Sequence, residues 1–165
     1  VDKETMKVTI LTVGKIKERF YTEAVAEYTK RLSRYCKINI IEVADEKTPD
    51  GAKEALEKQI REKEGERLLH YLDNESAYVI ALAIEGKMLD SVQLSEQIAG
   101  LGVRGTSHII FVIGGSLGLD ERVLQRADLK LSFSKMTFPH QLMRVILLEQ
   151  LYRSYRIMNH EPYHK

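Results

Sequence analysis

The sequence predicts an α/β fold, a mostly parallel sheet with helices on both faces. Three observations carry this. Short runs rich in Val, Ile and Leu alternate with longer segments of helical periodicity. Several of the strand-like runs are continuously apolar, as strands buried on both faces are. The 165 residues, 44% hydrophobic and 30% charged, suffice to close one core and show no sign of a second.

The first strand is Lys7 to Val13 (KVTILTV), and a helical pattern follows from Phe20 to Leu32. Ile38 to Val43 is the second strand. The loop Ala44 to Gly51 (ADEKTPDG) ends it, and the next helix, Ala52 to Leu72, alternates Lys, Arg and Glu in the manner of a solvated face. Tyr78 to Ile84 is the third strand. It lies in the longest uncharged apolar run, Ala77 to Ile84, far short of the roughly 20 residues that span a bilayer. A helix at Ser91 to Leu101, a strand at His108 to Ile113, a short helix at Glu121 to Ala127 and a short strand at Leu129 to Phe133 come next. The last helix runs from about Gln141 to Ile157, and there is no internal repeat or low-complexity tract.

That closing helix is apolar over more than the ~100° stripe one sheet contact needs. Leu142, Met143, Val145, Ile146, Leu147, Leu148, Leu151, Tyr152 and Tyr155 nearly encircle it. A second apolar partner is expected, and a homodimer interface is preferred over burial inside one chain. Residues 1–5 precede the first methionine and read as an expression remnant or alternative start, leaving 6–165 as a single domain. No charged-then-apolar leader precedes Met6, so the protein is expected in the cytoplasm with no membrane partner. The single cysteine, Cys36, reads as an inert buried thiol.

Net charge is +1, so a nucleic-acid partner would need a local basic surface. One end has such a bias. From Lys135 to Lys165 there are five Lys or Arg, three His and two acids.

Two loops follow strands and precede helices, and in parallel sheets ligands bind beyond the strands' carboxyl ends. Ile113-Gly114-Gly115-Ser116-Leu117-Gly118 would let a ligand approach the backbone closely. It lacks the glycine spacing of dinucleotide folds and the Gly-Lys-Ser/Thr of phosphate loops, which counts against ATP, GTP and NAD. A tight turn with no ligand is an equal reading. The second loop, Ser132 to Pro139 (SFSKMTFP), mixes hydroxyls, an ammonium and apolar surfaces. Together the two suit a ligand with an apolar ring, a ribose and a zwitterionic tail.

His160-Glu161-Pro162-Tyr163-His164 formally matches H-E-x-x-H, but Pro162 breaks the helix that would align both imidazoles and no downstream third ligand exists, so no metal is expected. The tail otherwise carries groups suited to stacking on a base and holding a phosphate; a disordered end is the alternative. His70 and His108 read as structural. His140 follows Pro139 beside the second loop, where packing and function are equal readings.

Four segments, VGKIKE at Val13 to Glu18, ALAIEGKMLDS at Ala81 to Ser91, FVIGGSLGLD at Phe111 to Asp120 and LSFSKMTFPHQLMRVILLEQLYRSYRIMNHEPYHK from Leu131 on, together closely resemble the RlmH family of SPOUT methyltransferases. The likeness runs from Met6 to Lys165, highly specific after Leu131 and loose at Ala52 to Leu72 and Ser91 to Thr106. It implies a C-terminal trefoil knot, which general topology rules disfavour, and an obligate dimer. It also implies S-adenosyl-L-methionine as cofactor and methylation of N3 of a pseudouridine in large-subunit ribosomal RNA. The cofactor contacts it implies are Leu82, Gly114, Phe133, Ser134, Lys135, Met136, Thr137 and Phe138, in the two loops already singled out; Gly115 adjoins them. For the acceptor side, His140 and His164 are candidates for base or positioning group, Arg144 and Arg156 for phosphates or the developing anion, and Tyr163 for stacking or hydrogen bonding near the base. The assembled ribosome is the expected substrate, because a small, nearly neutral protein makes few phosphate contacts of its own. Two other readings are a non-catalytic ribosome-binding factor and a different nucleotide-using enzyme.

Overall fold

The computed structural model describes residues 5–73 and 76–165. All but the last residue of the segment read as a remnant or alternative start lies outside the described residues. The elements are β1 (Lys7–Val13), α1 (Arg19–Leu32), β2 (Lys37–Val43), α2 (Glu54–Asp73), β3 (Tyr78–Met88), α3 (Ser91–Val103), β4 (His108–Ile113), α4 (Glu121–Arg126), β5 (Leu129–Ser132) and α5 (His140–Met158). The strands form one sheet in the order β2-β1-β4-β3-β5, and every pairing is parallel.

Both faces of the sheet are covered, which is why β1, after its first residue, and β4 are buried throughout. Val8, Ile10, Ile80, Ile109, Phe111 and Leu131 meet the layer of α1, α3 and α5. Leu11, Val13, Val79, Ile110 and Val112 meet the layer of α2 and α4. At the start of central β4 the His108 Nε2 lies 2.8 Å from the Thr9 hydroxyl, a structural contact between strands. Cys36 is buried, and burial pushes its thiol up to about 11, so it is protonated and inert at neutral pH.

Three elements differ from expectation. β3 runs on to Met88, past the expected end at Ile84, because Leu131 pairs with both Leu82 and Lys87 while the residues between them loop out. Gly86 makes this possible, since a Cβ there would sit 2.7 Å from the Lys130 carbonyl. The helix read as a solvated face, α2, buries Ile60, Glu64, Gly65, Leu68 and Leu72. A Cβ on Gly65 would lie 2.6 Å from the Asp120 Cβ, so that glycine lets α2 close on the loop before α4.

The third difference concerns α5, which lies between α1 and α3 on the sheet rather than at the rim of the layer. Arg144, Leu147, Leu148, Leu151, Ser154 and Tyr155 are buried within the one chain. Part of the apolar girth is therefore used internally. Leu142, Val145 and Ile146 remain half-buried and outside that core. Among the described residues no helix is long and apolar enough to cross a membrane.

Candidate active site

Strand order places the ends of β4, β3 and β5 side by side. The registers Ala81 to Val112 and Leu82 to Leu131 then set Gly114 and Phe133 on either side of β3, each two residues past its paired neighbour. Leu82, the Gly114 turn and the Phe133–Phe138 run thus share one edge of the sheet.

The glycine turn is shaped by its own backbone. Gly118 has φ +84 and donates its N–H to the Gly115 carbonyl at 3.1 Å. A Cβ at Gly114 would stand 2.8 Å from the Gly118 carbonyl carbon, so the turn itself requires the residue. Gly115 faces away from open space, its missing Cβ pointing at Val13 and the Glu64 carboxylate, both 3.2 Å away. A side chain at Gly115 would therefore strike Glu64 rather than fill a crevice.

The second loop is open in a different sense. Among the described residues, no backbone N–H from Ser134 to Phe138 donates to a backbone carbonyl, and only that of Met136 is taken by a side chain, the Ser134 hydroxyl at 3.0 Å. Lys135, Met136 and Thr137 are exposed, Met136 at 73%, while Phe133, Ser134 and Phe138 are half-buried. Unengaged donors beside Leu82, Phe133 and Phe138 are what a purine ring and a polar tail need. The residues present fit an adenosyl cofactor.

His140 opens α5 directly after this loop, where a Cβ on Gly14 would lie 3.5 Å from its Cε1. Its Nδ1 is buried without a hydrogen-bond partner. Burial, then the Arg144 charge, lowers its pKa, with Asp45 opposing. Arg144 is not at the surface where a phosphate contact would be: it is 1% exposed, donating to Glu42 at 2.5 Å and to the Val13 and Gly14 carbonyls at 3.2 and 2.6 Å. Its position one turn into α5 aims the guanidinium at the end of β1.

The tail residues form a separate group. Tyr163 donates its hydroxyl to Glu149 at 3.0 Å and sets its ring edge-on to Tyr152 at 4.9 Å, with the Arg153 guanidinium 4.7 Å from the ring. The His164 Nδ1 lies 3.1 Å from Arg153. Arg156 is engaged with Tyr35, Glu161 and the Pro162 carbonyl. Tyr163 and His164 thus lie beside Glu149 to Arg153, roughly 14 to 20 Å along α5 from His140 at ~1.5 Å per residue. The sequence-chosen residues fall into two sets that do not touch within one chain. His160, with φ 55, lies past the end of α5, so it and His164 share no helical face.

Two groups went unnoticed in the sequence. Glu64 is 4% exposed, accepts the Glu46 N–H at 3.0 Å, and has its carboxyl lifted above the ordinary range chiefly by burial. The signal was Gly65, an interior helix glycine that costs about 1 kcal/mol against Ala unless close packing requires it. Arg153 was visible only as one basic residue among five.

Residues 6–164 match a family model described as Predicted SPOUT methyltransferase. The Ribosomal RNA large subunit methyltransferase H of Bifidobacterium adolescentis is 64% identical over 97% of this chain and all of its own length. The protein of that name from Clostridium kluyveri is 57% identical over the same spans. Among solved structures, a methylase-family protein from Haemophilus influenzae superposes with a TM-score of 0.54 at 12% identity, over 99% of this chain and 72% of its own. A Legionella pneumophila protein described as a methyltransferase, in complex with the bound cofactor SAM, gives 0.50 at 10% identity over 92% and 67%.

Proposed function

The chain belongs to the SPOUT methyltransferase family, and from that premise we propose that it methylates large-subunit ribosomal RNA from S-adenosylmethionine, at N3 of a pseudouridine. In this reading it works in the cytoplasm as a homodimer on the assembled ribosome, and its C-terminal segment forms the knot that the family resemblance implies. The observation that carries the reading is the convergence of Leu82, the Gly114 turn and the unengaged N–H groups of Ser134 to Phe138 at adjacent strand ends. The relatives' printed names point the same way.

The cofactor supplies a methyl group already activated on a sulfonium. The chain's part is to hold the acceptor nitrogen in line with it and to accept the proton that N3 must lose. Leu82, Phe133 and Phe138 provide apolar walls, and the Ser134–Phe138 backbone provides donors. In this reading His140, half-buried and biased toward the neutral imidazole, takes that proton. Since burial depresses its pKa, it is the neutral form that persists through the ordinary histidine range near ~6.5. Transfer should be flat above that range and fall below it. The same sign holds for stability: the unfolded chain binds the proton more readily, so acidification through this window weakens the fold. A pH–rate profile unchanged by His140→Asn would remove His140 from this role.

Tyr163, His164 and Arg153 are distant from the loops of their own chain, so they would serve a site completed by a second copy. Leu142, Val145 and Ile146 offer the apolar surface for that copy. Ile146→Arg is expected to yield a folded monomer. Leu148→Arg would instead unfold the protomer, because Leu148 is wholly buried in its own core. Sedimentation of Ile146→Arg as an unaltered dimer would remove this face from the interface.

The deciding experiment incubates the protein with labelled S-adenosylmethionine and free ribosomal RNA, large subunits or whole ribosomes, and maps the methyl group. One label on a pseudouridine N3 in ribosomes is expected. Tight ribosome binding with no transfer would identify a non-catalytic binding factor instead.

A further inference from the structure

The loop between β1 and α1 is fixed at its base and carries exposed side chains with few contacts among the described residues. Gly14 takes φ +89, donates its N–H to the Val43 carbonyl at 2.8 Å and abuts His140. Two residues on, the Ile16 N–H donates to the Glu42 carboxylate at 3.2 Å, the same group that Arg144 engages. From this anchored backbone Lys15 and Lys17 project as exposed side chains. Among the described residues neither has an ion-pair partner, whereas neighbouring Arg19 is held by Glu23 at 2.7 Å. Phe20, in the first turn of α1, is 63% exposed, and among the described residues its one ring contact is with the adjacent Tyr21 at 4.3 Å. The other three phenylalanines are buried or half-buried.

We propose that this loop and first turn form an RNA-docking surface, with Phe20 stacking on an unpaired base and Lys15 and Lys17 holding flanking phosphates. An exposed aromatic face beside unpaired ammonium groups matches the two things a nucleotide offers, a π face and a fixed negative charge. In a chain of net charge +1, such a local cluster is what an RNA ligand requires. Its position is also informative. Gly14, at the base of the loop, abuts His140, so the proposed surface begins beside the start of α5 at the candidate active site. This rests on the ribosomal RNA reading above and assigns it a contact surface.

The test measures binding of large ribosomal subunits across a salt series, independently of methyl transfer, with cofactor affinity followed by calorimetry. Phe20→Leu keeps apolar bulk but loses the ring face, and subunit affinity should fall about tenfold or more. Phe20→Trp should restore it. In the Lys15→Ala, Lys17→Ala double variant the slope of log affinity against log salt should shrink by roughly 0.7 to 0.9 per lysine, and arginine replacements should recover it. Cofactor binding and the dimer should be unaffected throughout. Wild-type affinity and salt slope in both variants would overturn the proposal, as would a wild-type chain that binds no ribosomal particle. Conversion of Phe20→Leu to a monomer would overturn it in favour of contact between copies. Failure of methyl transfer alone, with these binding effects intact, would sink the enzymatic reading and leave the surface standing.

Discussion

A chain ending at Pro162 is expected to keep its fold, its dimer and most of its cofactor affinity, while methyl transfer falls by about a hundredfold or more. The cut is placed by the structure. Glu161 is a latch, accepting from the Tyr35 hydroxyl at 2.8 Å and from Arg156 at 2.7 Å, so removing it would loosen α5 against the start of β2. Beyond Pro162 lie Tyr163, His164 and Lys165. Their contacts are to Tyr152, Glu149 and Arg153 on the outer side of α5, and their loss leaves the sheet core untouched. Burial and the Glu149 hydrogen bond hold the Tyr163 phenol up to about 12, so at neutral pH it is a donor and an aromatic face. A stacked base is worth roughly 1 to 3 kcal/mol, and losing in-line geometry adds to that in rate. Single-turnover transfer to ribosomes, with sedimentation and calorimetry on the same protein, separates these effects. Transfer at the full rate by the shortened chain would reduce the tail to a structural end and move the acceptor chemistry to His140.

The strands at the centre of the sheet were the most legible part of the sequence. β1 and β4 are buried on both faces, so a run dense in Val, Ile and Leu coincides with the element, and both expected spans match residue for residue. β3 extends past the expected strand because its last residues, charged at Glu85 and Lys87, break the apolar pattern; Lys87 and Met88 pair only because the four-residue excursion from 83 to 86 brings the chain back onto β5. Charge content misled in the same way at α2, where a buried Glu64 is invisible to any pattern that sorts residues into apolar and polar. The two loops were legible because strand-to-helix turns with glycine or mixed polarity mark ligand edges. The division of the remaining residues was not. Along α5, His140 and Arg153 are only thirteen positions apart in sequence, but helix geometry makes that a distance no single ligand group spans. Whether two such sets belong to one site depends on a second chain, which one sequence does not display.

Arg144 gives the sharpest contrast between a functional and a structural cation. Replacing it with Met should destabilise the fold by about 3 kcal/mol, lowering Tm on the order of 10 °C for a chain of this size. The guanidinium bridges the Glu42 carboxylate and two backbone carbonyls at the end of β1, and deleting it takes that donor from all three, leaving Glu42 with the Ile16 N–H at 3.2 Å. The lower end of the range for broken buried pairs applies because Glu42 is one-third exposed and water would rescue part of its charge. Arg144→Lys would keep the charge but not the fork that reaches both partners, so an intermediate loss is expected. Transfer should fall too, through His140 four residues earlier, whose neighbour Gly14 is one of the carbonyls that Arg144 fixes. The salt dependence of ribosome binding decides the matter. A guanidinium that neutralised an RNA phosphate would lower the slope by roughly 0.7 to 0.9 on removal, while one sealed beneath the end of β1 would leave it unchanged. A stable Arg144→Met protein with a reduced slope would place the residue at the RNA surface and refute the structural assignment.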